Sequence, residues 1–146
     1  MVNNIQKLRE LTGAGVMECK KALSDAGGDF DKAAALIQEQ GLIKAEKKAA
    51  RATGAGFLES YIHNSRVGVL MEIRCETDFA AHSEPVRALA RELAMQIAAM
   101  DPENVPALLS ESYIRDEKMT VEQLIKNTVA KVGENIQVAR FCRYEL

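Results

Sequence analysis

Tryptophan is absent, and aromatic residues make up only 5% of the 146-residue chain. A core built on large rings is excluded, and the 21 alanines favour close-packed helices instead. Cysteine is scarce. Cys19, Cys75 and Cys142 lie far apart, are odd in number and include no Cys-x-x-Cys pair, which argues against both a disulfide framework and a zinc site. Two histidines, His63 and His82, are too few for a metal cluster without cysteine help. No metal site and no cofactor are expected. No apolar run approaches the roughly 18–20 residues that a membrane span needs. Charge of one sign is also missing: 19 Lys and Arg against 21 Asp and Glu leave −2. That balance argues against a surface built throughout for nucleic acid or anionic lipid. Met1-Val2-Asn3-Asn4 lacks the charged start and apolar core of a secretion signal, so the expectation is a cytoplasmic chain with no membrane partner.

Three short helices account for residues 1–43. Ile5 and Leu8 lie three apart, and the pattern stops at Gly13-Ala14-Gly15. Val16, Cys19 and Leu23 then form one apolar stripe, ending at Gly27-Gly28. Asp29 offers an N-cap to a third helix that turns Ala33, Ala34 and Ile37 inward and stops at Gly41. Such a unit buries little surface and reads as a docking module on something larger. Residues 44–54 are basic, alanine-rich and without large apolar side chains, which predicts an exposed, partly helical linker.

From residue 55 the period changes. Gly56–His63 and Val67–Glu76 flank Asn64-Ser65-Arg66 as a hairpin, with Val69, Met71, Ile73 and Cys75 on one face and Glu72, Arg74 and Glu76 on the other. In the first strand Leu58 and Ile62 oppose Phe57 and Tyr61. Ser83 and Pro85 open the longest helix, whose stripe runs Val86, Leu89, Leu93, Ile97, Met100 until Pro102. Pro106–Tyr113 predicts a short helix. Thr120 and Gln123 fit a capping box for a helix ending at Gly133, and Ile136–Leu146 predicts a third strand. Residues 55–146 therefore read β-β-α-α-α-β, an α+β core with a three-stranded antiparallel sheet. With only three strands, the other sheet face or an edge is expected to stay open, and an open apolar face would take a partner or a second copy.

Chemistry has few candidates. Gly13-Ala14-Gly15 lacks the rest of a phosphate-binding loop, and no strand precedes it. Cys75 and His82 could be paired as nucleophile and base only on spacing, with nothing to orient them. Thr77-Asp78-Phe79 is harder to assign to packing. In one reading Asp78 caps the following turn and Phe79 tucks under the helix. In the other, the junction is a rigid corner that presents Phe79 outward as an interface anchor. A separate reading makes Lys44–Arg51 a contact for ribosome or RNA. Another would make the three-helix unit a ubiquitin-binding adaptor, which leaves the rest of the chain without a role.

Three ordered stretches carry a resemblance. Leu8-Arg9-Glu10-Leu11-Thr12-Gly13-Ala14-Gly15-Val16-Met17-Glu18-Cys19-Lys20-Lys21-Ala22-Leu23 resembles the N-terminal signature of the elongation factor Ts family. Gly68–Phe79 is similar to its second signature, and Lys131-Val132-Gly133-Glu134-Asn135-Ile136 to a third. The resemblance implies an N-terminal UBA-like docking unit and exchange of guanine nucleotide on the GTPase EF-Tu, with no bond-making activity and no stable nucleic-acid complex. It implies that Arg9, Val16 and Met17 contact the GTPase domain. It further implies that the Thr77-Asp78-Phe79 corner inserts near the Mg²⁺ and phosphate site, with Val132 and Gly133 lining the same contact. Family members often carry a longer thioether where Val16 stands. Longer members have two related core halves and helical insertions. This chain resembles the short form, with residues 102–119 as a brief connection. That form implies a homodimer, with Phe141, Cys142 and Tyr144 in or near the interface.

Overall fold

The computed structural model describes residues 2–146. Met1, the first residue of the expected docking unit, lies outside the described residues. Helices α1 (Val2–Thr12), α2 (Val16–Asp25) and α3 (Phe30–Lys48) open the chain. Strands β1 (Ala55–His63) and β2 (Val67–Cys75) follow, then α4 (Asp78–Ala81), α5 (Glu84–Met100) and α6 (Val105–Ser110). A small hairpin, β3 (Ser112–Tyr113) and β4 (Asp116–Thr120), leads to α7 (Val121–Val132) and β5 (Ile136–Glu145). The fold is α+β, and its main sheet has three antiparallel strands in the order β1-β2-β5.

The period-two pattern of β2 decides how this sheet sits. Val69, Met71, Ile73 and Cys75 are buried, and α5 covers them with Val86, Leu89, Ala90, Leu93, Ala94 and Ile97. Small alanines between the leucines let the helix lie close to the sheet. Met100 is exposed, so the buried stripe ends at Ile97. Asp101 then closes α5 in the left-handed region (φ 50°), just before Pro102. Arg143 of β5 reaches across to the end of α5. Its Nε and Nη2 donate to Ala98 O at 3.1 and 3.0 Å, supplying an otherwise orphaned terminal carbonyl. The hairpin turns through Asn64 and Ser65, both at positive φ, and Arg66 N donates to His63 O at 3.0 Å.

The N-terminal helices enclose a separate small core of Leu8, Cys19, Ala22, Leu23 and Ala33. Val16 is not part of it and stands exposed. The expected stop at Gly41 is not observed: α3 runs on to Lys48 and takes up the first half of the basic segment. Gly41 faces α7, where a Cβ on it would lie 3.1 Å from the Ala130 Cβ. A missing side chain at a helix crossing, rather than a helix end, explains this glycine. The β3–β4 hairpin was not expected either. Buried Gln96 holds it: Nε2 donates to Ser112 O (3.1 Å) and Oε1 accepts from Ile114 N (2.9 Å).

Candidate functional site

β2 ends at Cys75, and the chain turns sharply into α4. The cap of that short helix is Thr77 rather than Asp78: Thr77 Oγ1 accepts from Ala80 N at 3.3 Å. Capping one residue earlier places Asp78 and Phe79 in the first turn with free side chains. Ala80 and Ala81 face inward and are buried, whereas Phe79 is 88% exposed. His82 closes the turn, its Nδ1 donating to Asp78 O at 2.7 Å. Of the two sequence readings, the outward corner is the one observed.

The other half of the site comes from the end of α7. Gly133 adopts φ 82°, a left-handed conformation that glycine takes without Cβ strain, and its N–H donates to Val129 O at 2.8 Å. This turn aims Glu134 at the corner. Glu134 Oε1 accepts from Thr77 N at 2.9 Å and Oε2 from Thr77 Oγ1 at 2.8 Å. In return Glu76 Oε1 accepts from Asn135 N at 2.7 Å. The last backbone pair between β2 and β5 is Cys75 with Ile136. Beyond it, two carboxylates continue the pairing by side chain. Thr77, which precedes Asp78 and Phe79, is thus tied to Glu134, which follows Val132 and Gly133, across 57 residues of sequence.

The N-terminal unit is held beside this site. Gly13, in the turn between α1 and α2, lies against Lys131, one residue before Val132. Glu18 accepts from Gly15 N at 3.2 Å and pairs with Lys44 on α3. Lys44 and then the Gly15 N–H hold the Glu18 carboxyl below its ordinary value. Arg9, Val16 and Met17 are exposed on α1 and at the start of α2, Met17 more so than Val16. A groove of about 300 Å³ between this unit and α7 is lined by Leu11, Thr12, Ile37, Gly41, Asn127 and Lys131. It lies apart from Phe79.

The remaining expected positions divide by face. Cys142 pairs with Leu70, and Tyr144 with Gly68, on the outer face of the sheet. Leu58, Ile62, Leu70 and Tyr144 are exposed there. Phe141 pairs with Met71 and lies on the inner face, packed against the main core. Burial raises the Cys75 thiol above its ordinary value, with Glu134 adding to the effect, so this sulfur is kept protonated. Cys75 and His82 are not brought together by any hydrogen bond: Cys75 Sγ donates to Thr77 O at 3.3 Å, while His82 bonds Asp78. Sequence reasoning missed Glu76, Glu134 and Asn135. Their partners lie 57 to 86 residues away, and no local pattern announces them.

The exposed apolar groups include an aromatic corner, a helical tip with Val16 and Met17, and a sheet face of Leu58, Ile62, Leu70 and Tyr144. Exposed apolar groups of this kind are typical of surfaces that contact other proteins. Comparison with known proteins agrees. The family model described as Elongation factor TS matches residues 2–118 and 76–146, so two stretches of that model share residues 76–118. Similar relatives include Elongation factor Ts of Thermotoga petrophila (40% identical, over 97% of this chain and 94% of that one) and of Desulforamulus reducens (40%, over 97% and 87%). Chloroplastic elongation factor Ts of Cyanidioschyzon merolae matches at 40% over 97% and 91%. The chain belongs to the elongation factor Ts family, a family of translation elongation factors. The alignments run to 186–191 positions, longer than the whole chain, so these relatives hold internal residues that it lacks.

Proposed function

We infer that this protein is a guanine-nucleotide exchange factor for the translation GTPase EF-Tu, acting in the cytoplasm. The observation that carries the reading is Phe79: a large ring, 88% exposed, on a corner fixed by Thr77 and Glu134. A bound guanine nucleotide is held through its phosphates, a Mg²⁺ ion and a backbone cradle. Asp78 and Phe79 insert beside that pocket, and the ring parts side chains behind the cradle. Val132 and Gly133 support the same contact. The Mg²⁺ and phosphate contacts loosen, and GDP leaves. Coupling is reciprocal, so incoming nucleotide expels the factor in turn. The protein forms and breaks no covalent bond.

Residues 1–43 act as the docking unit through Arg9, Val16 and Met17, residues 44–54 connect it, and residues 55–146 are the exchange and dimerisation core. The outer sheet face takes a second copy of the chain, with Cys142 and Tyr144 in the contact and Phe141 behind them. Two copies supply two corners in one assembly, which offsets the short connection at residues 102–119.

Release of fluorescent GDP from EF-Tu tests the reading. Wild-type protein is expected to accelerate release, and Phe79→Ala to lose about tenfold or more of that acceleration. Equal acceleration by both would remove the wedge. No binding to EF-Tu at all would leave Lys44–Arg51 and RNA as the reading to pursue, through a salt-dependent affinity.

A further inference from the structure

The exchange reading leaves one question open in the geometry: what keeps a four-residue helix from swinging when its single exposed ring is pushed into another protein. α4 is too short to be stable by its own hydrogen bonds. Its exposed face has no packing, and Thr77, Asp78 and Phe79 are all exposed. Ala80 and Ala81 anchor it from beneath.

We propose that Glu134 is a positioning residue for exchange, clamping Thr77 so that the Asp78-Phe79 corner and the Val132-Gly133 turn meet EF-Tu as one rigid body. The proposal rests on the exchange reading given above. Both carboxylate oxygens are used, one on the Thr77 N–H (2.9 Å) and one on the Thr77 hydroxyl (2.8 Å). Because the hydroxyl donates to Glu134, its lone pairs stay directed to Ala80 N, one of the first-turn amides of α4 that lack an intrahelical partner. The chain of bonds therefore runs from α7 through Glu134 and Thr77 into the helix that carries Phe79. A charged acceptor makes the first link strong, and each bond polarises the next. Glu134 itself is half-buried, and its backbone follows the left-handed Gly133, so its direction is fixed by the end of α7. Glu76 accepting from Asn135 N closes the same seam from the other side. Glu134 does not have to touch EF-Tu: it acts through Thr77.

A placement role predicts a split in kinetics. With the docking unit intact, Glu134→Ala should leave the concentration for half-maximal exchange nearly unchanged. The maximal rate of GDP release should fall about tenfold, since small misplacements of a reacting group are costly. Glu134→Gln keeps one acceptor and should retain most of the rate. Thr77→Val keeps the N–H and loses the hydroxyl, and should fall between the two. Combining Glu134→Ala with Thr77→Val should cost less than the sum of the two single changes, because the bond between the Thr77 hydroxyl and Glu134 is lost in both. Amide exchange at Ala80 should quicken in Glu134→Ala while the amides of α5 keep their protection.

A maximal rate in Glu134→Ala equal to wild type, with Phe79→Ala inactive, would overturn the clamp and leave the exchange reading standing. Strictly additive losses in the double variant would also overturn it. If Glu134→Ala fails to fold, Glu134→Gln and Thr77→Val carry the same comparison, and full activity in Thr77→Val would reject the clamp. If wild-type protein itself does not accelerate release, the exchange reading falls and the clamp falls with it.

Discussion

Gly41 and Ala130 meet where α3 crosses α7, so closely that a Cβ on the glycine would come within 3.1 Å of the alanine's own. This crossing joins the N-terminal helices to the core. Gly41→Ala has two opposed effects: it gains about 1 kcal/mol of helix propensity and forces the crossing apart by a few tenths of an ångström. Gly41→Leu has no such balance, and an overpacked crossing costs about 1–3 kcal/mol. Urea unfolding should place Gly41→Leu well below wild type and Gly41→Ala close to it. Equal midpoints for all three would mean that the two helices are not pressed together.

Asn135 is the second tie between the segments. It is 4% exposed, and its Nδ2 donates to Ala49 O (3.2 Å) and Arg51 O (2.8 Å), holding the chain as it leaves α3. Replacing it by alanine removes both of these bonds, leaving Ala49 O only Gln137 Nε2 at 3.4 Å, at a cost of about 0.5–1.5 kcal/mol for each bond lost. Asn135→Asp should be worse, since a carboxylate would then face two carbonyl oxygens. Trypsin reports the outcome directly, because Lys47, Lys48 and Arg51 lie in the released stretch. Cleavage there should be slow in wild type, faster in Asn135→Ala and fastest in Asn135→Asp.

These ties mark the limit of what the sequence makes legible. Periodicity places β2, α5 and the covered sheet face because each pattern is local and repeats. The Thr120–Gln123 capping box and the Gly133 stop are local too, and both are observed. Gly41 read as a helix end because glycine usually is one. Only the approach of Ala130, 89 residues on, explains why the helix continues. The β3–β4 hairpin has too few residues for a period, and its anchor is a single glutamine on another element. At the corner, residue types pointed to Asp78 and Phe79, but the carboxylates that fix it lie across the sheet seam.

Acid should act through Glu72. Its side chain is 12% exposed on the outer sheet face, between Arg140 (2.6 Å) and Arg74 (2.5 Å). The hydrogen bond from Arg140, then that from Arg74, holds its carboxyl below the ordinary 4.5. A lowered folded value means that the unfolded chain takes up the proton more readily. The stabilisation is therefore present above pH 4.5 and is lost as the pH falls from there through the folded value. Melting temperature followed downward from neutral pH should drop more steeply in wild type than in Glu72→Gln, with the two curves converging at the acid end. Parallel curves would show that the arginines do not discriminate between the charged and neutral carboxyl.

The same face decides the assembly. Leu58, Ile62, Leu70 and Tyr144 expose apolar surface on a sheet whose outer strands, β1 and β5, pair with no further strand among the described residues. A stable pairing of two sheets needs about 1,000 Å² or more of buried surface, and it tolerates no unpaired charge at its centre. Leu70 lies on the middle strand, opposite Ser60 and Cys142, and is 45% exposed. In a single chain Leu70→Lys costs little, since the ammonium can reach water along its stem. Between two chains the same ammonium is buried without a partner. Light scattering at micromolar concentration should give twice the 16.0 kDa chain mass for wild type and the chain mass for Leu70→Lys, with circular dichroism unchanged. Twice the mass in both would move the contact off this face, and the chain mass in both would mean that the protein offers its corner singly.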